Sequence, residues 1–337
     1  MRVLVTGGTG FIGSHTVVAL HQAGHQVRLL ARMPEKVART FAPHGIEIDD
    51  VVAGDVTDPD VVAKGLEGCE AVLHAAALVA LESSRASEVL DTNLRAVELV
   101  VGGAHERGLE RIVYVSSLSA LFHSDGKPMT SDSPLGDGQN AYMRSKTDAE
   151  RWVRQLEATG APISISYPPA MIGPEDPGLS EGNNMLLAFL RATMVDTTTG
   201  VSVFDVRDLA KIHTRMLDPN TPVGRFVVPG HYLPWPEAIA LMDELTGRRV
   251  TRVKLPGRLL RFLGRVGDVA KRIRPFDFPL THEAMSFASQ WPGAVPSPEL
   301  QALGLEFRDV RTTYADAITW MNRTGHLTAA EAGRLAA

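Results

Sequence analysis

Tyr142 and Lys146 stand four residues apart in Tyr142-Met143-Arg144-Ser145-Lys146, and helical spacing of i to i+4 puts both side chains on one face. The chemistry open to such a pair is proton transfer. A phenol titrates at about 10, so it works as an acid or base near neutrality only beside an ammonium and a further positive charge. Ser116 and Ser117 close the apolar run that starts at Arg111, 25 residues before Tyr142 in the case of Ser117. That run reads as a strand, and the carboxyl ends of strands are where α/β enzymes bind ligands. A second chemical stretch is Thr6-Gly7-Gly8-Thr9-Gly10-Phe11-Ile12-Gly13, between an apolar run and a helical pattern. Glycines at 7, 10 and 13 suit a tight turn, a close backbone approach to a pyrophosphate and close helix packing. The helix that follows aims unpaired N–H groups at the anion.

The end of the second strand of a dinucleotide fold lies beside the adenosine ribose, where a carboxylate would bind the 2′-hydroxyl of NAD. Here the run is Arg28-Leu29-Leu30-Ala31-Arg32-Met33-Pro34-Glu35-Lys36, with Arg32 at the carboxylate's place and Lys36 one turn on. A guanidinium fork suits a phosphate dianion, so NADP(H) is the preferred cofactor. Glu35 is a dissenting carboxylate that keeps NAD(H) open, and Arg32 and Lys36 also fit a plain solvated surface. In His74-Ala75-Ala76-Ala77 small side chains either let a cofactor lie against the backbone or pack a core.

Such residues need a scaffold that gathers strand ends. Apolar runs at Arg2–Thr6, Gln26–Ala31, Ile46–Ala53, Ala71–Ala75, Arg111–Ser116 and Pro162–Ser166 alternate with helical stretches such as Phe11–Gln22 and Asp91–Glu106. This pattern predicts an α/β fold, a Rossmann-type doubly wound parallel sheet, with a smaller C-terminal α/β substrate lobe. The boundary is expected near 165, giving a cofactor domain over 1–165 and a lobe over 166–327. Val201–Asp205 and Arg225–Val228 are expected to return to the sheet, and Thr328–Ala337 to fray.

With 337 residues, 44% of them hydrophobic, the chain can bury a large core. A net charge of -5 removes the attraction a nucleic-acid binder needs. The one cysteine, Cys69, excludes an internal disulfide, and no Cys/His spacing suggests a metal. No leader precedes the first strand and no apolar run spans a bilayer, so a cytoplasmic location is expected.

The glycine spacing GxxGxxG behind Thr6, with Ser117, Tyr142 and Lys146 in order after it, resembles the extended short-chain dehydrogenase/reductase family. The likeness is to its dihydroflavonol reductase-like and 3β-hydroxysteroid dehydrogenase-like members, within the NAD-dependent epimerase/dehydratase superfamily. It implies that Ser117 binds the substrate oxygen, that Tyr142 and Lys146 are the YxxxK pair, and that Asn93 supports the site through backbone or water contacts. It also implies that Asp55, with Val56 behind it, meets the adenine amino group. Basic residues at the place of Arg32 are likewise a mark of its NADP-dependent reductases. Tyr167-Pro168-Pro169-Ala170-Met171-Ile172-Gly173-Pro174 resembles the segment RPxxVYGP whose backbone lies over the nicotinamide, with Tyr167 and Ile172 departing from it. Asp205–Ala210 and Pro234–Glu237 resemble later family elements, and the likeness fades between about 250 and 295.

The reaction implied is hydride transfer between a nicotinamide and a secondary alcohol or ketone, with Tyr142 as acid/base. Met171, Met185, Leu186 and their neighbours favour an apolar small molecule, or are simply the core face of a helix. Ser119 and Asn183 are further substrate candidates. A sugar-nucleotide epimerase or dehydratase that retains its cofactor remains open, although Arg32 weighs against it, as does a non-catalytic NADP(H) sensor, although Tyr142 and Lys146 are both present. The resemblance implies a homodimer. Arg248–Arg274 reads as a basic amphipathic helix packed on the enzyme, with contact to anionic lipid as the alternative.

Overall fold

The computed structural model describes residues 1–78, 85–136, 138, 141–273 and 282–336. In chain order the strands are β1 (Arg2–Thr6), β2 (Gln26–Ala31), β3 (Val51–Ala53), β4 (Ala71–His74), β5 (Arg111–Val115), β6 (Ile163–Tyr167), β7 (Ala170–Ile172), β8 (Met194–Asp196), β9 (Gly200–Asp205), β10 (Arg225–Val227), β11 (His231–Pro234) and β12 (Arg252–Lys254). The helices are α1 (Phe11–Gln22), α2 (Glu35–Phe41), α3 (Pro59–Leu66), α4 (Ala86–Val97), α5 (Gly103–Glu106), α6 (Ala141–Glu157), α7 (Glu181–Arg191), α8 (Val206–Met216), α9 (Trp235–Thr246), α10 (Gly257–Ile273), α11 (His282–Gln290), α12 (Pro298–Ala302), α13 (Val310–Arg323) and α14 (Ala329–Ala332).

One seven-stranded sheet runs in the order β3-β2-β1-β4-β5-β6-β10, and every pairing in it is parallel. Parallel strands need crossover helices, which cover both faces and force both sets of alternating side chains to be apolar. Thus Val3 and Val5 meet Val17 and Leu20 of α1 and Leu209 and Ile212 of α8. Leu4 points the other way, toward Val62 and Leu66 of α3 and into the cluster that holds Ala149 and Val153 of α6. The strand order reverses direction between β1 and β4, which opens a crevice at their carboxyl ends.

The C-terminal lobe holds a three-stranded sheet, β11-β9-β7, and the pair β12-β8. Leu186 and Leu190 of α7, Ile239 and Met242 of α9, and Tyr314 and Ile318 of α13 form its core. The two halves are interleaved. After β7 to β9 the chain comes back, α8 packs on α1, β10 pairs with β6, and α12 packs on β10.

Several expectations need correction. Val201–Asp205 does not return to the large sheet: it lies within β9, paired with β7 and β11. Of Ile46–Ala53 only Val51–Ala53 pairs, against Leu29–Ala31. The helix expected over Asp91–Glu106 starts earlier, at Ala86, and passes through a π turn at Glu98–Gly102. The tail does not fray at its start. Thr328 and Glu331 form a capping box, and Arg191 Nε donates to Glu331 Oε1 at 2.7 Å. Arg274 and Ala337 lie outside the described residues.

Candidate active site

The glycine turn is built by close contact. Gly7 adopts φ +72, and a Cβ there would fall 2.6 Å from the Ala76 nitrogen. At Gly13 a Cβ would fall 2.1 Å from the Gly7 carbonyl oxygen, so α1 starts directly against the turn. Beneath it the Thr6 hydroxyl bonds His74 Nδ1 at 2.7 Å and accepts from Ala76 N at 3.3 Å, tying β1 to the end of β4. Burial lowers the His74 imidazole to about 3, which keeps the ring neutral. Phe11 and Ile12 turn their side chains into the core and leave α1 to begin with main-chain donors at Gly10, which has no side-chain cap. This cradle, open on the side that a Cβ would not fill, fits a dinucleotide pyrophosphate.

A cleft of about 240 Å³ opens over the turn, with Thr9, Gly10 and Phe11 on one wall, Lys36, Arg39 and Thr40 on the next, and Asp176, Pro177, Gly178 and Ser180 on the third. Arg39 was not among the sequence candidates, although it sits one helical turn after Lys36. Arg32 and Asp55 follow β2 and β3, with Arg32 Nη1 3.9 Å from Asp55 Oδ2 and the Arg32 side chain 62% exposed. Asp55 Oδ1 is held by the Thr57 amide at 2.9 Å and hydroxyl at 2.8 Å, and Val56 packs toward the core. Ala75 and Ala76 are half-buried and Ala77 is exposed along the crevice.

At the other end α6 brings Tyr142, Lys146 and Glu150 onto one face, each four residues from the last. The Ser117 hydroxyl bonds the Tyr142 phenol. Ser117 Oγ also accepts from the Ser119 amide at 3.2 Å and hydroxyl at 3.0 Å, so Ser119, itself buried, positions Ser117. Ser116 is buried in the strand end, its amide donating to the Ser166 carbonyl at 2.8 Å. Burial first, and the charge of Glu181 second, push the phenol above its ordinary value, against the pull of Ser117. Lys146 Nζ donates to the Val115 carbonyl at 3.2 Å and lies 5.8 Å from the Tyr114 ring centroid. Burial lowers this ammonium to about 8, with Glu150 and Glu181 opposing. The phenol is therefore held protonated, the form that donates.

Asn93 is buried and touches no open space. It accepts from Leu78 N at 2.7 Å, donates to Leu78 O at 3.0 Å and to Ser145 Oγ at 3.0 Å, and Ser145 in turn donates to the Tyr142 carbonyl at 2.8 Å. It fixes the first turn of α6 against the loop after β4.

Tyr167 is fully buried, its phenol donating to Glu150 Oε1 and accepting from Arg154 Nη2 at 3.2 Å. The departure from the arginine of the resembled segment thus fills the α6 side of the sheet and offers no side chain to the crevice. Pro168 is buried, its carbonyl accepting from the Leu118 amide, and Ala170 is half-buried on β7. The substrate candidates fare differently. Met171 is 6% exposed and packs in the core with Phe11 and Phe204. Leu186 is 0% exposed in the lobe core and Met185 packs against that core. Asn183, also fully buried, donates from Nδ2 to the Gly173 carbonyl at 2.9 Å and to Asp176 Oδ2 at 3.0 Å, and accepts from Gly173 N at 3.3 Å. It clamps α7 to the loop after β7, where a Cβ on Gly182 would fall 2.0 Å from the Met171 oxygen.

That clamp sets Glu181, the first residue of α7, toward the Tyr142 and Lys146 pair. Its side chain is solvent-accessible yet surrounded by protein, as in a cleft wall. Surrounding protein raises its carboxyl while Lys146 pulls it down. No spacing in the sequence links Glu181 to Tyr142. Only the Asn183 clamp does.

Residues 3–228 match the NAD dependent epimerase/dehydratase family. Sterol demethylase protein B of Methylococcus capsulatus is 27% identical over 331 residues, covering 96% of this chain and 99% of that protein. A putative dihydroflavonol 4-reductase of Synechocystis is 29% identical, covering 96% and 95%. The crystal structure of gox2253 superposes with a TM-score of 0.79 at 27% identity, covering 97% of this chain and 99% of that one.

Proposed function

This chain belongs to the NAD-dependent epimerase/dehydratase family, a nicotinamide-dependent family of oxidoreductases and epimerases, and on that premise we propose that it is an NADP(H)-dependent reductase or dehydrogenase interconverting a secondary alcohol and a ketone on a small, largely apolar molecule. The observation that carries the reading is the Ser117–Tyr142 hydrogen bond at the carboxyl edge of the sheet, with a buried Lys146 one turn below. A bound NADPH supplies the hydride. Ser117 orients the carbonyl oxygen, and Tyr142, kept protonated, gives that oxygen its proton. Lys146 and the fixed carbonyl of Val115 hold the ribose side of the site in place.

The 2′-phosphate preference rests on Arg32, exposed and only loosely engaged by Asp55 at 3.9 Å, and on Lys36 and Arg39, which line the cleft over the glycine turn. The apolar substrate rests on relatives named for a sterol and a dihydroflavonol. A panel of ketones and alcohols followed by NADPH absorbance, with Tyr142→Phe as control, tests the reading. Turnover of an apolar ketone that vanishes in Tyr142→Phe supports it. Tight NAD that co-purifies, no NADPH preference and epimerisation of a sugar nucleotide would replace it with the retained-cofactor reading.

A further inference from the structure

Helix α10 carries Leu259, Phe262, Val266 and Val269 at spacings of three, four and three, one continuous ridge. All four face solvent, 44%, 59%, 50% and 56% exposed. The opposite side is fully used. Leu260 is buried, a Cβ on Gly257 would fall 2.9 Å from Ser289 Cβ of α11, and Arg261 Nη1 donates to Ser289 Oγ at 2.8 Å. Helix α11 is fastened in turn: the Ala288 carbonyl accepts from Thr197 and Thr199 hydroxyls and from Trp235 Nε1 at 2.8, 3.0 and 2.9 Å. The ridge therefore stands out from an anchored hairpin of helices, and a helix packed wholly on the enzyme is not what the structure holds.

Charge says what covers it. Residues 248–274 contain ten Lys and Arg against one carboxylate, Asp268, a local net charge of +9 in a chain of net -5. Exposed Arg258 and Arg265 border the ridge on its helical flank. A second copy of the chain pairing face to face would set these basic flanks against each other. A nucleic acid would meet the charges but leave four apolar side chains without a partner. An anionic bilayer satisfies both, because apolar side chains enter the acyl boundary while arginines meet lipid phosphates.

We infer that α10 seats this protein peripherally on anionic phospholipid membrane. Among the described residues no helix is long and apolar enough to cross one, so the contact is interfacial.

Flotation of the full chain with phosphatidylcholine vesicles, with and without phosphatidylserine, tests this. The expected result is binding that requires phosphatidylserine and weakens with salt. Phe262→Ser combined with Val266→Ser should lower it about tenfold. Arg258→Gln combined with Arg265→Gln, both wholly on the surface, should lower it roughly fivefold per arginine while leaving thermal melting unchanged. Absence of flotation, equal flotation on neutral vesicles, or equal flotation of both variants overturns the proposal. So does a dimer that dissociates on Phe262→Ser without any vesicle binding, which would give the ridge to a second copy.

Discussion

Replacing Lys146 by methionine should make the protein more stable while removing its activity. The ammonium is 7% exposed and burial lowers it from 10.5 to about 8, so the unfolded chain holds that proton more tightly than the folded one. Below pH 8 the folded state carries the full cost of the buried charge, at ~1.4 kcal/mol per unit, or about 3 kcal/mol at pH 7. As pH rises from 8 to 10.5 the folded state sheds the proton first, so wild-type stability climbs and the cost shrinks to about 1 kcal/mol by pH 10. Lys146→Met keeps the length of the side chain and deletes the charge. Urea unfolding of the cofactor-free proteins at pH 7 and pH 10 should show the variant ahead by about 3 and then about 1 kcal/mol. A variant less stable than wild type at pH 7, or a gap that ignores pH, would refute the burial argument. The expected trade is stability held back so that a cation can sit beneath the phenol.

Three buried histidines give a pH response of the same sign in a lower window. His15 is lowered to about 4 and His74 and His213 to about 3, all by burial, so the unfolded state takes up protons first as pH falls below 6.5. Unfolding curves should lose about 2 kcal/mol per histidine between pH 7 and 5, and His213→Gln should flatten the slope by one histidine's share. In Glu181→Gln the phenol loses the charge that raises it, so the pH above which ketone reduction fails should move down, with little change in melting temperature. A pH–rate profile identical to wild type would detach Glu181 from the site. Asn183→Ala should cost about 3 kcal/mol in urea unfolding by orphaning the buried groups of Gly173 and Asp176, while KM for the ketone holds. A KM effect without loss of stability would return Asn183 to substrate binding.

What could be read ahead of the structure divides along physical lines. Strands β1, β2, β4, β5 and β6 were legible because a parallel sheet covered on both faces demands unbroken apolar runs between helices. The same property hid the partner of β9: all six of its residues are buried, and an apolar run does not say which sheet it joins. The geometry of the glycine turn and of the Tyr142 and Lys146 pair was legible because it lies in spacing inside one turn or one helix. Glu181 and Glu150 were not, since their neighbours are supplied from distant segments, by the Asn183 clamp or by the pairing of Tyr167 with α6. Leu186 and Met171 misled for a related reason. Apolar periodicity marks the face of an element and is blind to whether that face meets core or ligand.

The chain leaves the large sheet after β6, builds part of the lobe, and then comes back to lay β10 on the sheet edge before leaving again toward α9. Several separate crossings therefore stitch the two halves together. A gene cut near codon 165 would end inside β6 and deliver a sheet lacking β10 and the helix that roofs α1, with Phe226 and Leu209 missing from its interior. The crevice at the strand ends is accordingly a seam sewn during folding from both halves of the chain.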